Sequence, residues 1–531
     1  MIETSEGGNG SATGADSPSA VDAPDAIGSK PVLEQKSRWP RFSMLALSCA
    51  LAISFIAHFA WRRTHAVLSS NAGHVDRPSR RDIKFMAVLP LDNLSGDPSQ
   101  EYFADGMTDE LITMLAKNSN LHIVSRTSVM QYKGAHRPLP EIARELGADG
   151  ILEGSVVRSG DRVHMTIQLI EAASDTHVWA ESYDRDANDS ISLPREAAQT
   201  IAKRLNSAVL QPTPPRFVGP EAHDAYLRGR YLWFMGKKEE AGEYFRRATE
   251  LQADYALGWA GLANYYGVGA IRGTLSPEES LAQGEAAASM AVELDDLLPE
   301  GHLALAGAMY MQWNLARADQ EIARAIELNP SFADAYHFQS LVYGVLGRDQ
   351  DGIEAQKKSM ELDPFSSPYA MAQAYVIARD YDAALNDVRM RLEALPQNYD
   401  LHRVLYEIYR RTGQEKETVQ ELEKMLRLTG EEGSAASVRR AFEKGGYKAV
   451  LQWQVNDLKQ KSSTRYVSPV LLASLYAQLG RREETLAFAE EGYRQHAPLL
   501  LFIQIDPAFD FLHSDERYRS IIRRVGLPPA Y

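Results

Sequence analysis

A recurring pattern in the second half of the chain limits the folds that it can adopt. Three similar phrases end in proline at spacings of 34 and 32 residues: ARAIELNP at 323–330, KKSMELDP at 357–364 and RLEALP at 391–396. Apolar residues recur between them with helical periodicity. Glycines mark the turns between paired helices, at Gly236, Gly347, Gly413 and Gly480. A period of this length predicts a stack of short helical pairs instead of one globular core.

These features resemble the tetratricopeptide repeat (TPR) family. The repeat at 222–255 has small and aromatic residues where the family has them, at Gly229, Gly236, Ala241, Phe245 and Ala248. Similar units begin near 256, 299, 333, 399 and 466, with a fifth one ending at Pro396, and residues 431–465 are irregular but helical in character. The resemblance implies an all-α TPR superhelix over 216–531 that ends in a capping helix, which such arrays need to cover their last apolar face.

The TPR resemblance also implies a concave groove lined by the first helix of each pair. Residues offset from the packing positions would point into this groove, and their mixture suits an extended peptide or protein segment. These candidates are Tyr226, Arg230, Trp233, Asn264, His337, Tyr369, Arg403, Glu407 and Arg410. The carboxylate clamp of one TPR subclass is matched only at Asn264, so we do not predict that specificity. Aromatic residues at helical spacing are more often core than ligand-binding.

Residues 83–210 follow the pattern of a small mixed α/β domain. Apolar runs and turns predict the order β-α-β-α-β-β-β-α, with a tight turn at Gly160-Asp161 and a closing helix at 194–210. The segments IARELGADGILEGSVVRSGDRVHMTIQLIEAASDTHVWAESYDRD and AVLPLDNLSGDPSQEYFADGMTDELITMLAK resemble the domain that is similar to the amino-terminal domain of TolB. This resemblance implies a non-catalytic envelope module, which usually precedes TPRs in bacterial membrane proteins.

An acidic cluster lies at the predicted start of the first helix of this domain. Asp105, Asp109 and Glu110 could do acid–base work or bind a metal. Carboxylates also stabilise a helix N-terminus through the macrodipole, and we favour this second interpretation. Phosphate-binding loops and the zinc and serine hydrolase motifs are missing from the chain. We therefore expect no catalytic site, no cofactor and no metal.

Residues 42–61, FSMLALSCALAISFIAHFAW, form an uncharged and mostly apolar run. Such a helix spans about 30 Å, the thickness of a bilayer core, so we predict one transmembrane helix between a disordered tail at 1–41 and a linker at 62–82. A cleaved signal peptide is the competing interpretation, but the run is long for one. Basic residues flank both sides. The TolB-like relatives instead imply a bacterial inner-membrane protein with a cytoplasmic N-terminus and periplasmic domains.

The charge balance and the single cysteine narrow the function further. The net charge is −14, from 71 acidic and 57 basic residues, and this argues against nucleic acid as the main partner. Cys49 alone can form neither an intramolecular disulfide nor a zinc site. We expect a non-catalytic, membrane-anchored protein-interaction module that presents or assembles envelope partners. The alternative is a signalling or transcription-regulatory accessory that acts through a partner, because the N-terminal tail cannot fold an effector domain.

Overall fold

The computed structural model describes residues 83–117, 121–205, 218–272, 275–365 and 367–528. The predicted tail, transmembrane helix and linker lie outside these residues. Among the residues that are described, no helix is both long and apolar enough to cross a membrane. The described residues belong to one compact unit.

An α/β domain comes first in the chain. Its strands are β1 (Phe85–Val88), β2 (Asp92–Asn93), β3 (His122–Ile123), β4 (Gly150–Ser159), β5 (Arg162–Glu171) and β6 (Thr176–Asp186). Its helices are α1 (Glu101–Ala116), α2 (Arg126–Met130), α3 (Leu139–Leu146) and α4 (Ser192–Arg204). This order confirms the predicted β-α-β-α-β-β-β-α plan, to which the structure adds the short elements β2 and α2.

One mixed sheet organises this domain in the order β3-β1-β4-β5-β6, with β2 paired to β4. Strand β1 runs parallel to β3 and β4, and β2 runs parallel to β4, whereas β5 runs antiparallel to both β4 and β6. Gly160, at the predicted hairpin turn, has a φ of 57°, which explains the glycine there. Gly154 has a different reason, because a Cβ at this position would clash with the carbonyl oxygen of Thr166 on β5.

Helical pairs make up most of the rest of the described chain, with short 3₁₀ helices at Pro498–Phe502 and Pro507–Leu512. The first four pairs are α5 (Pro220–Phe234) with α6 (Lys238–Leu251), α7 (Ala256–Arg272) with α8 (Pro277–Leu294), α9 (Pro299–Met311) with α10 (Leu315–Leu328), and α11 (Ala333–Val345) with α12 (Asp349–Leu362). Next come α13 (Ala370–Ile377) with α14 (Tyr381–Ala394), α15 (Tyr399–Arg411) with α16 (Glu415–Leu428), the long α17 (Glu432–Lys461), and α18 (Pro469–Gln478) with α19 (Arg482–Arg494). The predicted capping helix is α20 (Glu516–Val525).

The long helix α17 is the irregular part of the array. Gly445 and Gly446 have non-helical backbone angles inside it, so it consists of two helical segments joined at a kink. The sequence predicts helix here without a clear repeat, and the two glycines explain why the spacing is interrupted.

Six of the described turns between paired helices have a left-handed residue two positions after the first helix ends. Gly236, Gly347, Gly413 and Gly480 take this conformation, as expected for glycine. In two pairs the position holds a residue with a side chain instead: Trp313 has a φ of 62° and Arg379 a φ of 57°. L-residues disfavour this region by roughly 1–2 kcal/mol. These two turns are therefore locally strained.

Candidate functional site

The α/β domain docks onto the first helix of the array through α1. Gly106 permits the close approach of α1 to α5, because a Cβ there would lie 2.7 Å from a methyl carbon of Leu227. The apolar core runs without a break from the sheet through this contact into the first repeats. The α/β domain therefore covers the terminal face of the array, which no preceding repeat covers.

Polar contacts surround this helix–helix approach. Arg230 donates from Nε and Nη2 to Asp109 at 3.0 and 2.6 Å, and Glu110 pairs with the buried His223. The hydroxyl of Tyr102 donates to Asp224, whose carboxylate also accepts from Arg228 at 2.8 Å. Burial and the bond to Asp224 raise the pKa of Tyr102 to about 12, so its hydroxyl stays a donor at neutral pH.

The acidic cluster does not lie at a helix start, so the predicted role for it was wrong. Helix α1 begins at Glu101, and Asp105 lies a full turn further on. Asp105 binds Lys133 at 2.6 Å and lies 3.8 Å from the buried Arg126, while Asp109 and Glu110 reach across to α5. Burial raises the pKa of Asp105 against the lowering effect of Lys133. These carboxylates join elements within and between the domains.

A second contact ties the α/β domain to the fourth helical pair. Ser128 on α2 donates to the buried Asp363, and the backbone N–H of Phe365 donates back to Oγ of Ser128 at 3.2 Å. The backbone N–H of Ser125 donates to the carbonyl oxygen of Leu362 at 3.3 Å. The α/β domain thus touches both the first pair and the end of the fourth pair.

Between these two contacts lies a cavity of about 140 Å³. Helices α1 and α2 supply one wall, and the first helices of the first four pairs supply the other. Arg126 and Arg230 both lie over the ring of Phe234, with guanidinium carbons 3.9 and 4.9 Å from its centre. Burial lowers the pKa of Arg126, and the charges of Asp109 and Asp105 partly offset this effect. The concave side of the first half of the array is therefore partly filled by the chain itself.

Four predicted groove residues, Tyr226, Arg230, Trp233 and Asn264, line this cavity. Tyr226 is buried and packs edge-on against Tyr255 at a centroid distance of 5.5 Å. Trp233 is covered by the ammonium of Lys238, 3.7 Å above its ring. Asn264 is exposed to the cavity. The structure therefore brings these four residues together, but around a space that the α/β domain encloses.

His337 stands apart from this group. Its Nδ1 is 2.8 Å from the amide oxygen of Gln356 on the second helix of its own pair, so it joins the two helices.

The remaining predicted residues lie in the second half of the array. Arg403 lies 5.3 Å from the ring centre of Tyr369 and donates to Gln373 at 3.3 Å. Glu407 and Arg410 pair with each other, and Arg410 also donates from both terminal nitrogens to Asp506, at 3.1 Å each. The C-terminal part of the chain therefore occupies the Arg410 end of the predicted groove.

Sequence reasoning missed the residues that make these internal contacts, among them Arg126, Arg379, Arg411, Asp506 and Asp510. One available signal was the turn position itself. Arg379 and Trp313 stand where the other pairs have glycine, and a bulky residue at such a position indicates a constraint beyond the turn. Within the part of the chain that the structure describes, no three His, Cys, Asp or Glu side chains are grouped as metal ligands.

Comparison with known proteins identifies two parts of the chain. Residues 82–204 match the family model described as the second domain of HilA/YgeH-like transcriptional regulators, so the α/β domain is similar to that domain. Residues 225–255 match a tetratricopeptide repeat model, and this confirms TPRs in the array.

The sequence similarity to a curated relative covers less than half of the chain. The chain is 35% identical over 243 residues to "Putative adenylate cyclase 3" from Rhizobium meliloti (strain 1021), which is 44% of this chain and 41% of that protein. The match thus spans about two fifths of the length of that relative.

Solved structures with some similarity include TPR proteins. Pseudomonas aeruginosa pilF is 20% identical, covers 39% of this chain and 92% of its own, and has a TM-score of 0.29. A thermophilic TPR protein of Thermus thermophilus is 20% identical, covers 35% of this chain and 98% of its own, and has a TM-score of 0.31. These TM-scores are too low to support an argument from either arrangement.

Proposed function

We propose that this chain is a non-catalytic protein-binding module whose TPR array holds polypeptide segments with the first helices of its pairs. The proposal rests on ion pairs that the array makes with other parts of the same chain. Arg230 on α5 and Arg410 on α15 both bind carboxylates of other parts of the chain, Asp109 and Asp506. Helical arrays of this kind offer extended surfaces for such contacts. The same side chains suit segments of a second protein.

The cellular setting remains the one that the sequence predicts. We propose that residues 42–61 anchor the chain in a bacterial inner membrane, with the N-terminus in the cytoplasm and the α/β and TPR domains in the periplasm. The TolB-like resemblance, which covers most of 84–205, and the apolar run at 42–61 support this arrangement. A reporter that is active only in the periplasm, fused after residue 531, should be active. An inactive periplasmic reporter together with an active cytoplasmic one would reverse the orientation.

A regulatory role is the second candidate, and specific observations favour it. The α/β domain is similar to the second domain of a class of transcriptional regulators, and the curated relative bears the name of an adenylate cyclase. Under this second proposal, the chain senses or relays a signal by binding an effector protein. The two versions share the binding array and differ in what the captured partner does.

In-cell crosslinking of the full-length protein, followed by mass spectrometry, tests the proposal. We expect a dominant protein partner that is reduced at least several-fold when Asn264 and Arg403 are both changed to Ala. Arg324→Ala is the matched control, because Arg324 makes only an exposed pair with Glu327 on the second helix of its repeat. Equal capture by the parent, the double variant and the control would show that the partner does not bind through the groove. The partner's identity then separates an envelope scaffold from a signalling accessory.

A further inference from the structure

Three arginines of the array hold one acidic stretch of the chain, residues 504–510. Arg379 lies in the turn between α13 and α14, and Arg410 and Arg411 lie at the end of α15. We call these three residues the arginine cradle. They come from two successive helical pairs, so the site belongs to the assembled array and not to a single repeat.

Two aspartates of this stretch are gripped by paired nitrogen–oxygen contacts. Arg410 donates to both carboxylate oxygens of Asp506 at 3.1 Å, and Arg379 donates to both oxygens of Asp510 at 3.0 and 2.9 Å. A planar guanidinium matches a carboxylate in this two-pronged geometry, which a lysine cannot reproduce. The cradle therefore fits two carboxylates four residues apart.

The main chain of the stretch is held as well. Arg411 donates to the carbonyl oxygen of Ile505 at 3.0 Å, and Arg379 donates to that of Gln504 at 3.3 Å. Main-chain contacts of this kind recognise the course of a backbone regardless of its side chains. Together with the two carboxylate pairs, they define a binding mode for an acidic segment.

Backbone strain gives an independent reason to regard the cradle as a site. Arg379 has a φ of 57° at a turn position that is glycine in four other pairs. Trp313 is strained in the same way, and its ring stacks on His496 at a centroid distance of 3.6 Å. His496 itself has a φ of 55° and lies two residues after α19 ends. The stack of Trp313 on His496 is a separate contact, but Arg379 keeps its side chain at a strained position and pairs with Asp510, which indicates that this pair matters beyond local folding.

The two ends of the cradle differ in access. The side chains of Arg410 and Asp506 are 6% and 9% exposed, whereas those of Arg379 and Asp510 are 39% and 42% exposed. Asp510 is therefore the end of the resident segment that a competing segment reaches first, whereas Asp506 and Phe509 are buried. The resident segment belongs to the same chain and has a high effective concentration, so a competitor binds weakly until that segment is released.

We propose that the arginine cradle is a recognition site for an acidic protein segment of the form Asp-x-x-x-Asp, and that residues 504–510 are its resident internal ligand. This rests on the proposed function in one respect, namely that the partner is a protein. A partner that carries such a segment binds by replacing the resident one.

A labelled peptide with the sequence QIDPAFD tests this directly against the full chain. Asp510→Asn removes the exposed grip on the resident segment, and we expect this variant to bind the peptide several-fold more tightly than the parent does. A peptide with Asn at both Asp positions should not bind. Adding Arg379→Gly to the variant should abolish the gain, because the outer arginine is then missing from the cradle.

Glu483→Gln is the matched control, because it breaks an exposed pair with Arg517 that lies outside the cradle. It should leave peptide binding at the parent level. Equal binding by the parent and Asp510→Asn, no binding by either, or equal binding of the Asn peptide would each overturn the proposal. A partner captured in cells whose crosslinks avoid residues 379–411 would sustain the proposed function and still reject the cradle.

Discussion

The two ends of the helical array are closed by different means. At the N-terminal end, α1 lies on α5 through a glycine, apolar packing and ion pairs, and the helical backbone of both partners is regular. At the C-terminal end, two separate contacts use residues with left-handed backbones: Arg379 pairs with Asp510, and Trp313 stacks on His496. The first contact uses the side faces of two regular helices and needs no unusual backbone conformation. The second depends on side chains placed at strained positions, which suggests a more specialised task.

Arg410→Ala should have the largest effect of the changes considered, and it acts on the C-terminal end. Removing this buried arginine leaves Asp506 and Glu407 without their main partner, and breaking a buried ion pair costs about 3–5 kcal/mol. Urea denaturation should show this loss, and hydrogen exchange should show opening of residues 503–512. Arg324→Ala should cost under about 1 kcal/mol, as exposed pairs do. A similar small loss for Arg410→Ala would show that the C-terminal contact is not built on this pair.

Acid should loosen the C-terminal end before it affects the apolar contact at Gly106. Burial by itself would raise the pKa of Asp506 and of Glu407, but the charges of Arg410 and Arg411 outweigh it and lower both. Their contribution to stability is therefore complete above the ordinary carboxyl pKa of about 4 and is lost as pH falls through the lowered values. Protection factors of residues 503–512, corrected for intrinsic exchange, should fall in that window.

At the N-terminal end, the pKa of Asp105 is raised instead of lowered. Its contribution to stability therefore changes with pH in the opposite direction. Its folded-state pKa lies above the unfolded one, so its contribution is greatest at low pH and is lost as pH rises through the raised value.

At the C-terminal end, Asp506→Asn should remove part of the pH response of residues 503–512. An unchanged pH response in that variant would assign the effect to other groups.

Gly106→Leu should open the N-terminal end with a smaller effect. The added side chain meets Leu227, and overpacking of this kind typically costs about 1–3 kcal/mol. Thermal unfolding and hydrogen exchange of α5 measure the change. Gly307→Ala is the control in a helix with open space, and it should stabilise by about 0.5–1 kcal/mol. Faster exchange of residues 503–512 in Gly106→Leu would show that the two ends are not independent.

Arg379→Gly should change stability least. It loses a half-exposed ion pair, worth about 0–1 kcal/mol. It also relieves a left-handed residue that is disfavoured by roughly 1–2 kcal/mol. The reverse change, Gly347→Arg, adds that strain without a known partner, and it should destabilise the protein. A large loss of stability on Arg379→Gly would mean that the arginine is primarily structural, and the cradle would lose its strongest support.

The fold was largely predictable because its signals are local. Turn glycines such as Gly160 and Gly236, and the recurring small residues of the repeats, determine strands and helical pairs by spacing alone. The strand β2 escaped because Asn93 begins a run of turn-forming residues, and α2 escaped because five residues carry too little periodicity to detect. Residues 431–465 contain the helix α17 but show no repeat, because Gly445 and Gly446 interrupt the helical spacing.

The candidate site was less predictable, because its contacts join residues far apart in the chain. Arg230 and Arg410 lie on first helices, as the repeat pattern predicts, but their partners Asp109 and Asp506 lie about a hundred residues away. Periodicity carries no information about such pairs. Only the replacement of glycine at Trp313 and Arg379 was visible in the sequence as a departure from the pattern.

The central claim is that this array binds acidic protein segments and that its own residues 504–510 occupy one such site. Quantitative in-cell crosslinking of the parent, Asp510→Asn and Glu483→Gln tests it most directly. The account predicts that a protein partner, crosslinked within residues 379–411, increases several-fold in Asp510→Asn and stays at the parent level in Glu483→Gln. Equal yields in all three proteins, or crosslinks confined to the second helices of the pairs, would contradict it.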